Sequence, residues 1–209
     1  MPLRLLDSMT FTGAVALRYA RAARLGRNQP MRQIAAGLFI SLDGVVEAPE
    51  KWTGPYFNDQ VGQAVGALMA ANDAMLLGRV TYEGFAAAFG GQSGGMADQM
   101  NNTPKYVVSD TLASADWHNS TLINGDITAR IVELKQQPGK NIGMSGSSAL
   151  VRWLLQHNLL DQLDLLVFPV MLGSGKRLFS ERDGQVPLVL AGSEAFSSGV
   201  VHLTYTPAR

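Results

Sequence analysis

Two stretches of this chain combine glycine, hydroxyl and charge where an apolar run ends and a helical pattern begins. The first is Gly78-Arg79-Val80-Thr81, directly after the run Ala74–Leu77. Gly78 permits close approach of a ligand to the backbone. The first amides of a helix lack partners within it, and its dipole favours an anion there. Thr81 adds a hydroxyl donor, and Arg79 adds a planar cation that matches phosphate geometry. The same residues also suit a plain turn, a cap and a solvated arginine, and the motif alone leaves both readings open.

The second stretch is "IGMSGSSAL", in which Gly143 and Gly146 bracket Ser145 while Ser147 and Ser148 open the next helical pattern. Small residues expose backbone N–H groups, and three hydroxyls supply further donors, a means of cradling a pyrophosphate without lysine. A serine-capped helix after a glycine turn accounts for it equally well. Two such junctions on one sheet favour an extended ligand with several anionic groups. A third run, "LGSGKRLF" (172–179), superficially resembles a phosphate loop. However, Val170 stands where the earlier glycine belongs and no Ser or Thr follows Lys176, so it reads as a bulged turn between strands.

The remaining polar candidates are fewer. Trp52 lies in a loop before a helix, where its indole would either stack on a flat heterocycle or anchor the loop. Asp43 reads as a turn residue, and Glu47 belongs to the same loop. His118, His157 and His202 have no ligand spacing, and without cysteines there is no thiolate site, so no metal centre is expected.

The elements that must carry these residues alternate strand and helix from Met31 onward. Residues 32–44 read as a strand entering a turn at Asp43-Gly44. Residues 57–72 read as a helix burying Val61, Ala64, Val65, Leu68 and Met69, capped by Asn58 or Asp59. "AMLLG" reads as a buried strand, "TYEGFAAAF" as a helix, 105–110 and 121–125 as strands, and 126–137 as a helix stopped by Pro138-Gly139. "NIGMSG" is a further strand and 147–158 a helix with Asn158 at its C-cap. The nearly continuous apolar run 163–170 implies cover on both faces of a sheet. Two closing β segments joined by "SSG" read as an antiparallel hairpin at the sheet edge. The expected fold is α/β: a mixed, mostly parallel central sheet with helices on both faces. Residues 90–95 read as a glycine-rich loop.

Composition narrows the partners. The 209 residues carry a formal net charge of zero, without cysteine. Residues 1–30 hold five arginines against Asp7, a balance of +4, which leaves a mildly acidic body of −4 and no basic stripe for nucleic acid. No apolar run reaches the roughly 18 residues of a membrane span, and the missing cysteines suit a reducing, cytoplasmic setting. Two domains are expected: an N-terminal extension over 1–30, non-essential, and a folded domain over 31–209. Thr10 to Leu25 reads as a short arginine-rich helix stopped by Gly26. Arg18 and Arg21 interrupt the apolar stretch that a secretion signal needs, and a membrane-surface helix is the lesser reading.

"SLDG" (41–44), "GRVTYE", "VVSD", the loop and long segment through "ALVRWLLQHNLLDQLDLLVFPVMLGSGKRLF", and the closing "SSGVVHLTY" resemble the dihydrofolate reductase-like superfamily. The nearest resemblance is to the reductase domain of the bifunctional riboflavin-biosynthesis deaminase–reductase and its stand-alone relatives. That resemblance covers about Met31 to Pro207. It implies a sheet of about eight strands and binding of NADPH. The phosphates would lie beside Gly78, Arg79 and Thr81, the adenosine side near Ser109 and Asp110, and the pyrophosphate on Gly143 to Ser148, including Ser145, Gly146 and Ser147. It further implies a homodimer and hydride transfer to a C=N or C=O bond of a small heterocycle. The heterocycle would be pterin-like or ribosylaminopyrimidine-like, as in 5-amino-6-(5-phosphoribosylamino)uracil reduction.

Two positions depart from the family pattern. The carboxylate of dihydrofolate reductases would fall at Gly62, leaving Asp59, Asp43 and Glu47 as weak candidates for proton delivery. Met144 replaces the glutamate of the riboflavin reductases. A nucleotide-binding protein of the same fold without catalysis is therefore the alternative reading.

Overall fold

The computed structural model describes residues 31–179 and 184–208 with their side chains, and the backbone of 3–11 and 14–21. Two compact units result, residues 1–30 and 31–209. In the first, β1 (Leu3–Phe11) pairs antiparallel with β2 (Ala14–Arg21), in register from Leu3↔Arg21 to Phe11↔Ala14 with one irregularity between Leu5 and Asp7. This corrects the helix expected from Thr10 to Leu25 over every described position it spans; residues 22–25 lie outside the described residues. Alanine and arginine are good helix formers locally. Yet Thr10, Phe11 and Val15 favour strands.

The second unit is built on an eight-stranded sheet, ordered β6-β5-β4-β7-β3-β8-β10-β9. The strands are β3 (Ile34–Ser41), β4 (Asn72–Gly78), β5 (Lys105–Val108), β6 (Ser120–Ile123), β7 (Asn141–Ser145), β8 (Gln162–Phe168), β9 (Leu188–Ala195) and β10 (Val201–Pro207). The six from β6 to β8 run parallel, and β10 is antiparallel to both β8 and β9. The closing hairpin thus forms one edge, as two β segments joined by "SSG" predict.

Five helices cover the sheet: α1 (Asp59–Ala70), α2 (Arg79–Phe89), α3 (Gly95–Asn102), α4 (Ile127–Gln136) and α5 (Ser148–Gln156). The core shows which face each takes. Ile131 and Leu134 of α4 and Leu150, Val151, Leu154 and Leu155 of α5 pack with Ile34, Ala36, Leu38 and Ile40 of β3. On the other face Val61 of α1 packs with Leu166, Phe168, Phe196 and Val200. There Tyr82 of α2 and Met100 of α3 also pack, with Leu77, Val107 and Trp117. β8 contributes Leu163 and Leu165 to one face and Leu166 and Phe168 to the other, which explains an apolar sequence interrupted only by Asp164 after its first residue.

The helix α3 has no counterpart in the sequence reading. Its segment GMADQMNN buries only Met100, so no apolar stripe announces it. Lys105 holds its end: the buried ammonium donates to the carbonyls of Met100, Asn101 and Thr103 at 2.7, 3.1 and 2.7 Å. Asn158, expected at the end of α5, takes the left-handed conformation (φ 55°) one residue beyond the cap His157.

Candidate functional site

The sheet order itself locates a crevice. From β3 the chain passes through α1 to β4 and through α2 to β5, always toward the β6 edge. From β6 it returns through α4 to β7 and through α5 to β8, toward the opposite edge. Parallel crossovers are right-handed, so helices formed in opposite directions of travel fall on opposite faces. The reversal occurs between the neighbours β4 and β7. There α2 and α5 leave adjacent strand ends on opposite faces, opening the kind of gap where α/β folds bind ligands.

Both sequence junctions lie at this gap, and the structure ties them together. The Gly78 amide donates to Ser147 Oγ at 2.9 Å, and the Ser147 amide donates to Thr81 Oγ1 at 2.8 Å. Gly146 and Ser147 both adopt positive φ, 64° and 52°. A Cβ on Gly146 would lie 3.1 Å from both Cγ2 and Oγ1 of Thr81, so the loop rests directly on that threonine.

Neither α2 nor α5 has a side-chain cap at its N-terminus. By contrast α1 is capped by Asn58, which accepts from the Val61 amide, and α4 by Asp126, which accepts from the Ala129 amide. The helix starts facing the crevice therefore keep first-turn amides without a side-chain partner, the arrangement that suits an anion.

The other residues expected here are placed as follows. Ser145 ends β7 exposed, and Ser148 begins α5 half-buried. Gly143 lies inside β7, paired with Ala35 and Met75, and a Cβ there would come 2.5 Å from Asn72 Nδ2. Its missing side chain makes room for Asn72, and it is not part of the loop. Arg79 is exposed, with its guanidinium directed at Glu83 one turn on (3.1 and 3.3 Å to the two carboxylate oxygens). At the end of β5, Ser109 Oγ accepts from the amides of Thr111 and Leu112, both at 3.1 Å, while Asp110 is exposed.

Further along the same edge, beyond β7, lie the ends of β3 and β8. Asp43 accepts from Ser41 Oγ at 2.6 Å and from the amides of Leu172 and Gly173 at 3.1 and 2.9 Å, with Arg177 at 3.6 Å. The Ser41 hydroxyl, then the Leu172 and Gly173 amides, hold this carboxyl well below the usual carboxylate range. A group so firmly ionised is a poor proton donor. Glu47 accepts from the Lys176 amide at 3.1 Å. Together the two carboxylates fasten segment 171–177 to the 41–47 turn, where Val45 and Arg177 form a single antiparallel bridge. This is the segment that read as a bulged turn.

Trp52 donates its indole N–H to the Glu47 carbonyl at 2.9 Å and packs edge-on against Phe168, ring centroids 5.5 Å apart. Phe39 and Tyr56 pack on the same Phe168 ring. Of this cluster the sequence offers only Trp52; Phe39, Tyr56 and Phe168 carry no local signal that they meet it. Asp59 is exposed in the first turn of α1, lining a shallow pocket with Phe57, Asn58, Gly62 and Gln63. A Cβ on Gly62 would meet only Phe57 Cε1, at 3.8 Å, so packing does not demand glycine there. Met144 is buried in the apolar cluster that also holds Leu150, Val151 and Leu154 of α5.

Among the described residues no three His, Asp or Glu side chains gather in a metal-binding group, and no helix is long and apolar enough to cross a membrane. One buried carboxylate is absent from the sequence reading. Asp164 on β8 accepts from His202 at 2.9 Å, Thr204 at 2.8 Å and Gln162 at 2.7 Å.

Comparison with known proteins agrees with this architecture. The uncharacterized protein YyaP of Bacillus subtilis (strain 168) is 34% identical over 106 residues, 51% of this chain and 56% of that protein. The chain thus matches little more than half the length of this relative. A Shewanella sp. PV-4 protein assigned to riboflavin biosynthesis superposes with a TM-score of 0.70 at 22% identity, covering 85% of this chain and 99% of that one. The dihydrofolate reductase of Enterococcus faecalis, complexed with NADP(H) and RAB-propyl, gives 0.57 at 15% identity over 85% and 97%. At these identities the two structures establish the fold: a dihydrofolate reductase-like sheet. The family model of the RibD C-terminal domain spans residues 32–202 of the sequence, and with four-fifths of its length inside that match the chain belongs to the RibD C-terminal domain family.

Proposed function

We propose that this chain is an NADPH-dependent reductase acting on a small heterocycle, pterin-like or ribosylaminopyrimidine-like. The observation that carries the reading is the pair of helix starts at the β4/β7 crevice, each without a side-chain cap, tied by Ser147 and Thr81. The residues present fit such a cofactor. Gly146 is held by Thr81 in a conformation that favours glycine, and the crevice presents donors to an acceptor-only phosphate. The α2 start, with Gly78, Arg79 and Thr81, would hold one phosphate. The α5 start, with Ser145, Gly146, Ser147 and Ser148, would hold the pyrophosphate, and Ser109 and Asp110 would border the adenosine.

NADPH, when bound, supplies the hydride from its nicotinamide ring. The chain's own contribution is to bind, orient and exclude water. The partly exposed rings of Phe39, Trp52 and Tyr56, packed around the buried Phe168, would give a flat substrate an apolar surface near the ends of β3 and β8. Asp43 and Glu47 are engaged in holding segment 171–177, which leaves Asp59 as the carboxylate with access to solvent at that end of α1.

A specific pair of positions favours a second reading, a nucleotide-binding protein without turnover: Gly62 lacks a side chain and Met144 is buried among apolar residues. One experiment separates the two. Loss of NADPH absorbance is followed against pterins, ribosylaminopyrimidines, quinones and small aldehydes, with NADPH affinity measured alongside. Turnover of any of these supports the reductase. Tight binding without turnover of any favours the second reading, and no binding sinks both.

The same proposal includes a homodimer. Val189 and Leu190 of the edge strand β9 are about half exposed, an apolar edge that monomers normally avoid. Light scattering giving a monomer at micromolar concentration would count against it. A cytoplasmic setting completes the proposal and is tested by fractionating cells that express the full chain.

A further inference from the structure

We infer that Ser147 is a positioning residue: it sets the spacing of the α2 and α5 starts for a ligand that bridges them, and the inference rests on the nucleotide reading above. Ser147 occupies the N-cap position of α5, where a serine ordinarily accepts an amide of its own first turn. It does not do so here. Its hydroxyl instead receives the Gly78 amide from the neighbouring junction, 69 residues earlier in the chain, while its own amide reaches back to Thr81. One residue therefore spans the crevice in both directions. To do so it holds φ 52°, ψ 38°, a conformation that glycine or asparagine adopts more readily. A glycine would fill that backbone position with less strain but could not accept the Gly78 amide.

The two bonds also fix the polarity of the crevice. Ser147 Oγ and Thr81 Oγ1 each accept a main-chain N–H, and neither hydroxyl proton has an acceptor among the hydrogen bonds of the described residues. Both protons remain for whatever enters between the helices. Together with the first-turn amides of α2 and α5, they make a lining of donors matched to a group that only accepts, as a pyrophosphate does.

The test compares ligands that do and do not bridge the junctions. Ser147→Gly should weaken NADPH by roughly tenfold while leaving adenosine 2′-monophosphate, which reaches only the α2 side, within twofold. Its melting temperature should change little, since relief of the left-handed strain offsets the lost Gly78 bond. Thr81→Val, which breaks the second bond, should weaken NADPH similarly, and the double variant should lose less than the sum of the two, because both bonds hold one loop against one helix start. Thr81→Ser, which keeps the hydroxyl, should restore binding.

Unchanged NADPH affinity in Ser147→Gly overturns the inference. So does an equal loss for both ligands. Losses that add fully in the double variant do too, since they would mean that the two bonds act independently instead of fixing one spacing. Failure of the wild-type chain to bind NADPH removes the nucleotide reading and the inference together, and is distinguished by appearing before any substitution is made.

Discussion

Replacing Gly143 by alanine separates packing from ligand binding at the crevice. The glycine is in the middle of β7, and an added Cβ would lie 2.5 Å from Asn72 Nδ2, 2.7 Å from its Cγ and 3.2 Å from its Cβ. The Asn72 amide is itself held, donating to the Leu68 carbonyl at 2.6 Å, so it cannot swing away freely. Overpacking of this kind costs about 1–3 kcal/mol. Alanine returns about 0.5 kcal/mol by restricting the unfolded chain. The net loss of about 0.5–2.5 kcal/mol corresponds to a fall in Tm of about 1–10 °C for a chain of this size.

Asn72→Ala should recover most of that fall in the double variant. It removes the two closest atoms and also the buried Asn72 Oδ1, which has no hydrogen-bond partner. The assay is thermal melting by circular dichroism, paired with NADPH titration of the double variant, whose affinity should match that of the wild type. A Gly143→Ala protein that melts with the wild type refutes the packing argument. A double variant that melts normally but no longer binds NADPH would show that Gly143 faces the ligand after all.

Three other expectations can be checked directly. Arg79→Ala should weaken NADPH more than NADH, because the extra phosphate loses its cation, whereas Glu83→Gln, which releases Arg79, should strengthen NADPH; equal effects on both nucleotides in titration would remove Arg79 from that role. Burial raises the pKa of Asp164, but the hydrogen bonds from His202, Gln162 and Thr204 outweigh it and leave the carboxyl below its ordinary value. Its stabilisation is therefore present above about pH 4 and lost as pH falls through the folded value, so acid unfolding followed by fluorescence should be shallower in Asp164→Asn. A chain beginning at Met31 should fold and bind NADPH with unchanged affinity, since all the junction residues lie in the second unit; aggregation, or a Tm many degrees lower, would show that residues 1–30 cover an apolar surface.

Much of the architecture was legible because buried strands and amphipathic helices write their periods into the sequence. Val61, Val65 and Leu68 announce α1, and the run 163–168 announces a strand covered on both faces. Local signals failed where they were weak or conflicting. The alanines and arginines of 14–24 suggested a helix where β2 pairs with β1, and α3 buries too little to leave a stripe. At the site, sequence identified both glycine–hydroxyl junctions as residue types but not their partners. The contact of Ser147 with Gly78 crosses 69 positions, and the packing of Gly143 on Asn72 crosses 71, and no local pattern records either. The same limit applies to Asp43 and Glu47, whose partners at 172–176 are about 130 positions away.

The place of β7 in the sheet has a consequence for how the protein is made. β3 and β4 leave the ribosome early, but the strand that separates them spans residues 141–145 and arrives after β5, β6 and three further helices. At the usual pace of synthesis, that is an interval on the order of ten seconds. Until it arrives, β3 has neither of its sheet neighbours, β7 and β8, and β4 lacks one of its two, so apolar strand edges stay open to a chaperone or a wrong strand. Pairing of β7 with β4 and β3 closes those edges, and only then do the Gly78 and Ser147 junctions become neighbours. A truncated product ending before residue 141 should accordingly be recovered as aggregate, with no trace of nucleotide affinity.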